Sequence, residues 1–201
     1  MRKILVILEN AGDKLAKGSK QTLSFASYYT NRFNHEIEVV ICGKKVKDSV
    51  IAEIKEYGVE KIYKLLGKHI THYNPDQIKH GIADIIKESN PNVVLGSNTN
   101  VGKDLFPRLA QMFDAEMASD AINVEYRPDE FIFWKSIYGG KLVEKMKVPE
   151  EGIFFGAIRV NTFSEFPKLV EKAPIIVERH LIEPTGLKYK VKGLESKVEK
   201  G

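Results

Sequence analysis

Short apolar runs and segments with helix-spaced apolar residues alternate through the first half of the chain. The runs predict strands buried on both faces, over residues 3–10, 36–43, 60–67 and 91–98. The intervening segments repeat apolar residues every three or four positions and predict helices over 19–33, 46–58, 74–90 and 102–113. Because helices follow strands in turn, the pattern predicts an α/β fold, with a doubly wound parallel sheet and right-handed crossovers.

Capping residues set the expected helix boundaries. Ser19 is suited to cap the first helix, and Asn74, which precedes a proline, is suited to open the third. Pro107 interrupts the fourth segment, and a helix tolerates proline best in its first turn. We therefore expect the fourth helix to begin near Val101 or Lys103, so that Pro107 lies early in it.

The pattern changes after Ser119. Alternating stretches rich in Ile, Phe, Tyr and Val, with a turn at Gly139-Gly140, predict strands within 121–126, 130–148 and 152–163. No long helical segment separates them, so we expect an antiparallel β-meander added to one edge of the parallel sheet. The α/β domain is thus expected to span 1–165. The remainder, 166–201, is expected to supply one extended segment within 174–184 and a Lys-rich linker or tail at 187–201.

The β-rich half is crowded with aromatic residues, namely Phe131, Phe133, Trp134, Tyr138, Phe154 and Phe155. No predicted helix covers these strands, and period-2 alternation buries only about half of such side chains. Two outcomes remain open. Either all of these aromatics pack internally or cover the segment 174–182, or some form an exposed patch in which Trp134 and Tyr138 anchor a partner protein.

Composition and charge exclude several classes of protein. An apolar fraction of 43% and a charged fraction of 29% are those of a globular protein. The net charge is +4, but the tail 187–201 holds five Lys and two Glu and supplies +3 of it. The nearly neutral body argues against a dedicated nucleic-acid binder. No signal peptide and no run long enough to span a membrane is present, so we expect a cytoplasmic protein without membrane or nucleic-acid partners.

Cysteine and histidine provide no recognisable metal or nucleophile site. The single cysteine, Cys42, follows an apolar run and is expected to be a buried structural thiol. His69 and His72 are three positions apart, but no further ligand has the spacing of a zinc site. The other histidines, His35, His80 and His180, are scattered. We therefore predict no metal site.

The loop at 96–103 has the outline of a phosphate-binding loop. A Walker A sequence needs four residues between its glycines and then Lys followed by Ser or Thr. Here five residues separate Gly96 from Gly102, and Lys103 is followed by Asp104, which repels phosphate. The chain also lacks a Gly-x-Ser-x-Gly elbow and a Gly-x-Gly-x-x-Gly fingerprint. No catalytic residues are predicted.

A weaker anion site remains open at the same loop. Its candidate residues are Ser97, Asn98, Thr99, Gly102 and Lys103. Free N–H groups at a helix start attract anions, but Ser, Asn and Thr at this place are also ordinary helix caps. Capping is the interpretation that we favour, because nearly every helix start needs it.

The stretch SNTNVGKDLFPRLAQMFDAEMASDAINVE, residues 97–125, resembles the N-terminal domain of the electron transfer flavoprotein α subunit. That family has a Thr-x-x-Gly-(Arg/Lys)-Asp-Leu-x-Pro-Arg-Leu-Ala run followed by a Ser-Asp pair. The matching residues here are Thr99, Gly102, Lys103, Asp104, Leu105, Pro107, Arg108, Leu109, Ala110, Ser119 and Asp120. The resemblance covers residues 1–165. One departure is the family's Ala-Gly-Asn-Ala hairpin, which is Gly139-Gly140-Lys141-Leu142 here.

The resemblance implies a non-catalytic half of an electron carrier with a Rossmann-like fold, similar to the adenine nucleotide α-hydrolases. Such a domain docks the β subunit and supports a mobile flavin domain that accepts electrons from acyl-CoA or other dehydrogenases. FAD is expected in the complete assembly and not on this chain alone, because the family's Ser-Gly-Gly-Arg-Gly flavin loop does not occur here. The flavin domain would then lie in the same longer chain or in a separate one. Interface candidates are Arg108, Trp134 and Tyr138. The alternative is a stand-alone adenine-nucleotide-binding protein that uses the loop at 96–103.

Overall fold

The computed structural model describes residues 2–33, 35–68, 70, 73–127, 130–165 and 172–181. Nine strands in these ranges form one sheet, and two very short strands form a separate ribbon. The strands are β1 Lys3–Leu8, β2 Asn10–Ala11, β3 Lys14–Leu15, β4 Glu36–Gly43, β5 Lys61–Leu66, β6 Val93–Ser97, β7 Met117–Arg127, β8 Glu130–Ile137, β9 Leu142–Lys147, β10 Phe154–Ile158 and β11 Ile175–His180.

Four α-helices within the described residues cover the two faces of the sheet. They are α1 Lys17–Phe33, α2 Asp48–Lys55, α3 Pro75–Ser89 and α4 Asn100–Met112. Buried side chains of α1 and α2 pack in one core cluster, and those of α3 and α4 pack in a second cluster on the opposite face. Helices on both faces of a mostly parallel sheet define the predicted doubly wound α/β fold, which is thereby confirmed.

The strand order is β11-β5-β4-β1-β6-β10-β7-β8-β9. The pairs from β11 through β7 are parallel, and only β7–β8 and β8–β9 are antiparallel. An antiparallel edge is therefore present, but the predicted meander is partly wrong. Strand β10 lies in the parallel sheet between β6 and β7. It does so because its residues are buried on both faces, with Phe154 in the α1 and α2 cluster and Phe155 in the α3 and α4 cluster.

Two predicted helix starts differ in detail. The expectation that Ser19 caps the first helix is wrong, because α1 begins at Lys17 and the Ser19 hydroxyl accepts a hydrogen bond from the Glu9 amide at 2.7 Å. Asn74 does cap α3, accepting from the Asp76 amide at 3.1 Å. Helix α4 begins at Asn100, so Pro107 lies beyond its first turn on the exposed side of the helix.

The far edge of the sheet comes from the end of the described chain. The extended segment predicted within 174–184 contains β11, which pairs in parallel with β5 over six residues. The predicted Lys-rich tail, 187–201, lies outside the described residues. Of the helices described, none is long and apolar enough to cross a membrane.

Candidate functional site

Polar side chains collect at the edge of the sheet where the parallel strands end. Glu9 follows β1, Asn98 and Thr99 follow β6, and Arg159 follows β10. The chain leaves β1 toward β4 on one side and leaves β6 toward the other side, so the β1–β6 boundary is the switch point of the sheet. Ligands of open α/β sheets bind in the crevice at such a point.

Thr99 joins the start of α4 to the end of β1. Its hydroxyl accepts a hydrogen bond from the Gly102 amide at 3.0 Å and donates one to Glu9 Oε1 at 2.6 Å. Burial raises the pKa of Glu9, and the hydrogen bond from Thr99 opposes that rise. Gly102 is required for this approach, because a Cβ there would lie 2.0 Å from the Ser97 carbonyl oxygen. The helix start is therefore capped from within and faces a carboxylate.

Ser97 and Asn98 also have partners inside the chain. The Ser97 hydroxyl lies 3.2 Å from that of Thr22 on α1. The Asn98 side chain donates from Nδ2 to Asp120 Oδ1 at 2.7 Å. Arg159 donates to both oxygens of Asp120, from Nε at 3.0 Å and from Nη2 at 2.6 Å. The hydrogen bond from Arg159 has the largest effect on the pKa of Asp120. Together with the bond from Asn98, it holds this pKa below its usual range, although burial acts to raise it.

Asp120 has a backbone φ of 56°, in the left-handed region that non-glycine residues rarely adopt. The pairing of β7 with β10 changes register beside it, between Gly156 and Ile158. A bulge of this kind redirects a side chain out of the regular alternation of a strand. Beside this bulge, the Asp120 carboxylate is directed toward Asn98 and Arg159, and it forms hydrogen bonds with both.

Lys103, Asp104 and Arg108 lie on α4. Arg108 donates to Asp104 Oδ1 from Nε at 2.9 Å and from Nη2 at 2.8 Å, and the Tyr73 hydroxyl donates to Oδ2 at 2.8 Å. Burial acts to raise the pKa of Asp104, but these hydrogen bonds from Arg108 and Tyr73 outweigh it and lower the pKa. Lys103 is exposed. The five anion-site candidates thus lie together, but Ser97, Asn98, Thr99 and the Gly102 amide already hydrogen-bond within the chain.

A cavity of about 860 Å³ opens beside this network, between α3 and α4. Its lining within the described residues is mainly apolar and consists of Ile7, Leu8, Glu9, Asn10, Cys42, Gly43, Lys44, Lys45, Ile70, Tyr73, Ile78, Ile82, Val101 and Leu105. Cys42 is less buried than predicted, being partly exposed at the cavity wall. Burial of its thiol still raises the pKa to about 12, so the sulphur stays protonated and weakly nucleophilic near neutral pH.

The aromatic residues of the β-rich half divide into two groups. Phe131, Phe133, Phe154 and Phe155 are at most 1% exposed and belong to the core. Trp134 is partly buried, with the Lys145 ammonium 4.0 Å above its ring, and Tyr138 is 76% exposed at the turn between β8 and β9. We call this turn and the adjoining strand β9 the hairpin tip, residues 138–147.

Exposed apolar side chains surround Tyr138 in the hairpin tip. Leu142 is 55% exposed and Val143 is 48% exposed. Because consecutive strand residues point to opposite faces, β9 is uncovered on both sides at Leu142 and Val143, and among the described residues it is the last strand of the sheet. Arg108, the third interface candidate, lies on α4, an element separate from this hairpin.

Several residues of these sites were not among the sequence candidates. They are Glu9, Tyr73, Arg159, Lys44, Lys45, Leu142 and Val143. A usable signal exists for two of them, because Glu9 and Arg159 are the first charged residues after buried strands, and the ends of parallel strands share one edge. His69 and His72 lie outside the described residues. Within the described ranges, no three His, Cys, Asp or Glu side chains are placed to hold a metal ion.

This architecture is that of a Rossmann-like α/β domain, with its polar network at the switch point of a doubly wound sheet. Residues 4–180 match the family model described as the electron transfer flavoprotein domain. The chain belongs to this family.

Curated relatives agree with that assignment. The chain is 31% identical over 154 residues to the electron transfer flavoprotein subunit alpha of Syntrophomonas wolfei, covering 77% of this chain and 47% of that subunit. It is 27% identical over 164 residues to the corresponding subunit of Megasphaera elsdenii, covering 81% and 48%. The subunit of Bacillus subtilis is 29% identical over 133 residues, covering 66% and 40%. The chain thus spans about half the length of the curated relatives that it matches, consistent with an N-terminal α-subunit domain.

Proposed function

We propose that this chain is the platform of an electron transfer flavoprotein, which docks a β subunit through its hairpin tip and supports a flavin-bearing domain. That assembly carries electrons from dehydrogenases, and the platform itself contributes structure and no catalytic residue. The observation that carries the proposal is the edge strand β9, whose apolar residues Leu142 and Val143 are exposed on opposite faces.

An uncovered edge strand favours a partner for a physical reason. Its free backbone N–H and C=O groups and its apolar side chains both promote association, so monomeric proteins usually shorten, charge or cover such an edge. Strand β9 carries charge, including Lys145 and Lys147, but Leu142 and Val143 adjoin the exposed Tyr138 in one short segment. A β subunit seated here would bury this segment.

The backbone of the turn supports the same proposal. Tyr138, Gly139 and Gly140 all have positive φ, at 49°, 65° and 90°. Glycine adopts such angles freely, but tyrosine does so at a cost, and strained residues cluster at functional sites. The strain presents the Tyr138 ring to solvent at the end of the hairpin, where an aromatic anchor suits an interface.

Trp134 supports the proposal from the base of the hairpin. Its indole N–H is buried and meets no acceptor within the described part of the chain. Because that nitrogen has no accessible surface, a docking partner would contact the partly exposed ring of Trp134 and not its N–H. The Lys145 ammonium lies over this ring, so a partner that docks here would either displace the ammonium or leave its cation–π contact in place.

Neither the connection after β1 nor the start of α4 fits the phosphates of a flavin dinucleotide. The connection from β1 to α1 is the β2–β3 ribbon and not a glycine-rich phosphate turn. At the start of α4, the Gly102 amide is capped by Thr99, and Glu9 places a carboxylate beside the cap. The same two contacts give a stand-alone nucleotide site at 96–103 no support. We therefore assign FAD to another domain or chain of the proposed assembly, where it would supply the redox chemistry.

The direct test is a calorimetric titration of the chain with the electron transfer flavoprotein β subunit of the same organism. Tyr138→Ala and Trp134→Ala should each weaken binding about tenfold or more, the usual loss at an aromatic anchor. Ile175→Ala is the matched control, because Ile175 is 67% exposed on β11 at the opposite edge of the sheet. It should leave the affinity unchanged.

Thermal melting separates docking from folding. Tyr138→Ala should melt with the parent, since the side chain is mostly exposed. Equal affinity of parent, Tyr138→Ala and Trp134→Ala would exclude the hairpin tip as the docking surface. A lowered melting temperature for Trp134→Ala would instead assign that residue to packing. Independently, the purified 201-residue chain should lack the visible absorbance of flavin, and stoichiometric FAD on it would contradict the proposed division of roles.

A further inference from the structure

The cavity between α3 and α4 is a candidate small-molecule site that the platform role does not use. Its volume of about 860 Å³ lies in the range of about 300–1,000 Å³ that is usual for ligand sites. It opens where β1 and β4 end, the edge at which α/β sheets bind ligands.

The walls of the cavity define the body of the ligand. Ile7 and Leu8 come from the sheet, Ile78 and Ile82 from α3, and Leu105 from α4. These side chains offer no hydrogen bonds, and the lining is mainly apolar, although it also includes the polar residues Asn10 and Tyr73. A ligand that fills it must therefore be mainly apolar, and the slot between two helices and a sheet favours a flat molecule.

The mouth of the cavity defines the charge of the ligand. Lys44 and Lys45 line it, both are exposed, and neither ammonium group has an ion-pair partner within the described residues. The one acidic group of the lining, Glu9, already accepts the Thr99 hydroxyl on the side of α4. Positive charge thus lies at the loop after β4, away from the capped start of α4.

We propose that this cavity binds a flat, mainly apolar organic anion, with its body between α3 and α4 and its acidic group at Lys44 and Lys45. The proposal goes beyond the platform role and depends on none of the hairpin residues. It also differs from a phosphate site at 96–103, because the anionic end contacts the loop after β4.

A matched pair of probes tests both halves of the proposal. The anion 8-anilinonaphthalene-1-sulfonate and the neutral N-phenyl-1-naphthylamine share their aromatic body and differ in the sulfonate. Isoleucine-methyl NMR of the 201-residue chain locates each probe. Both should shift Ile7, Ile78 and Ile82 in the cavity, while Ile175 and Ile176, which are 67% and 44% exposed on β11, serve as internal controls.

The charge half is tested by the double variant Lys44→Ala/Lys45→Ala. It should weaken binding of the sulfonate about fivefold, the scale expected for two exposed charge contacts, and leave the neutral probe unchanged. High salt should reduce the preference of the parent for the sulfonate. Equal losses for both probes would overturn the assignment of the acidic group. Shifts at Ile175 and Ile176 without shifts at the cavity isoleucines, or no shifts at all, would overturn the site.

Discussion

Thr99→Ala should destabilise the chain, because one hydroxyl both caps α4 and supplies Glu9 with a donor. The substitution leaves the Gly102 amide without its acceptor, which was at 3.0 Å, and the Glu9 carboxylate without its donor, which was at 2.6 Å. Loss of a helix cap typically costs about 1 kcal/mol. A hydrogen bond to a charged group is worth about 1.5–3 kcal/mol, and the lower end applies because Glu9 is only partly buried.

The expected total is about 2 kcal/mol, allowing for water that reaches Glu9 after the change. For a domain of this size that loss lowers the melting temperature by about 4–8 °C. The cost should also depend on pH. The Thr99 hydrogen bond stabilises the charged form of Glu9, so its contribution is present at neutral pH and declines as pH falls through the raised pKa of Glu9.

Urea unfolding of parent, Thr99→Ala and Thr99→Ser at several pH values measures these effects. Thr99→Ser keeps the hydroxyl and should stay within about 0.5 kcal/mol of the parent. The reasoning is refuted if Thr99→Ala is equally silent, or if its cost does not shrink in acid. A silent Thr99→Ala that abolished measurable phosphate binding would instead revive the anion interpretation of the loop.

Three further changes test other contacts. Asp120→Asn should destabilise the chain by about 0.5–1 kcal/mol at pH 7, a modest loss because the ion pair with Arg159 is partly exposed. In thermal melts, the difference between parent and variant should shrink below about pH 4, as pH falls through the lowered pKa of Asp120. Gly96→Ala should cost about 1–3 kcal/mol in urea unfolding, because its Cβ would lie 2.3 Å from the buried Phe106 ring, and Phe106→Leu should recover part of that cost. Lys103→Ala should leave electron transfer by the assembled flavoprotein within a few-fold of the parent, and a loss of several orders of magnitude would show that the loop acts in the reaction.

The parallel half of the fold follows from the sequence because its strands carry an unambiguous pattern. Strands β1 and β6 are central in the sheet and nearly fully buried, and a strand buried on both faces must be a continuous apolar run. The same reasoning applies to β10, whose FFGAI run is buried throughout. Its aromatic content and position after a hairpin favoured a meander, although the absence of polar alternation indicated a central strand.

The hairpin tip was only partly predictable, because alternation along a strand does not reveal the order of strands in the sheet. The alternation of strand residues correctly places Phe131 and Phe133 in the core and the neighbouring Trp134 on the other face of β8. It does not reveal that, among the described residues, no further strand pairs with β9. That fact depends on the strand order of the whole sheet, so the exposure of Leu142 and Val143 became evident only from the structure.

The polar network at the switch point was inaccessible to local reasoning because its partners are distant in sequence. Thr99 and Glu9 are 90 residues apart, and Asp120 and Arg159 are 39 apart. The free backbone amides at a helix start attract anions when only the local sequence is considered. A carboxylate on a residue that follows an adjacent strand repels anions and so cancels that attraction. Whether α4 can bind an anion is therefore decided by the residue that follows β1, and only the adjacency of β1 and β6 identifies that residue as Glu9.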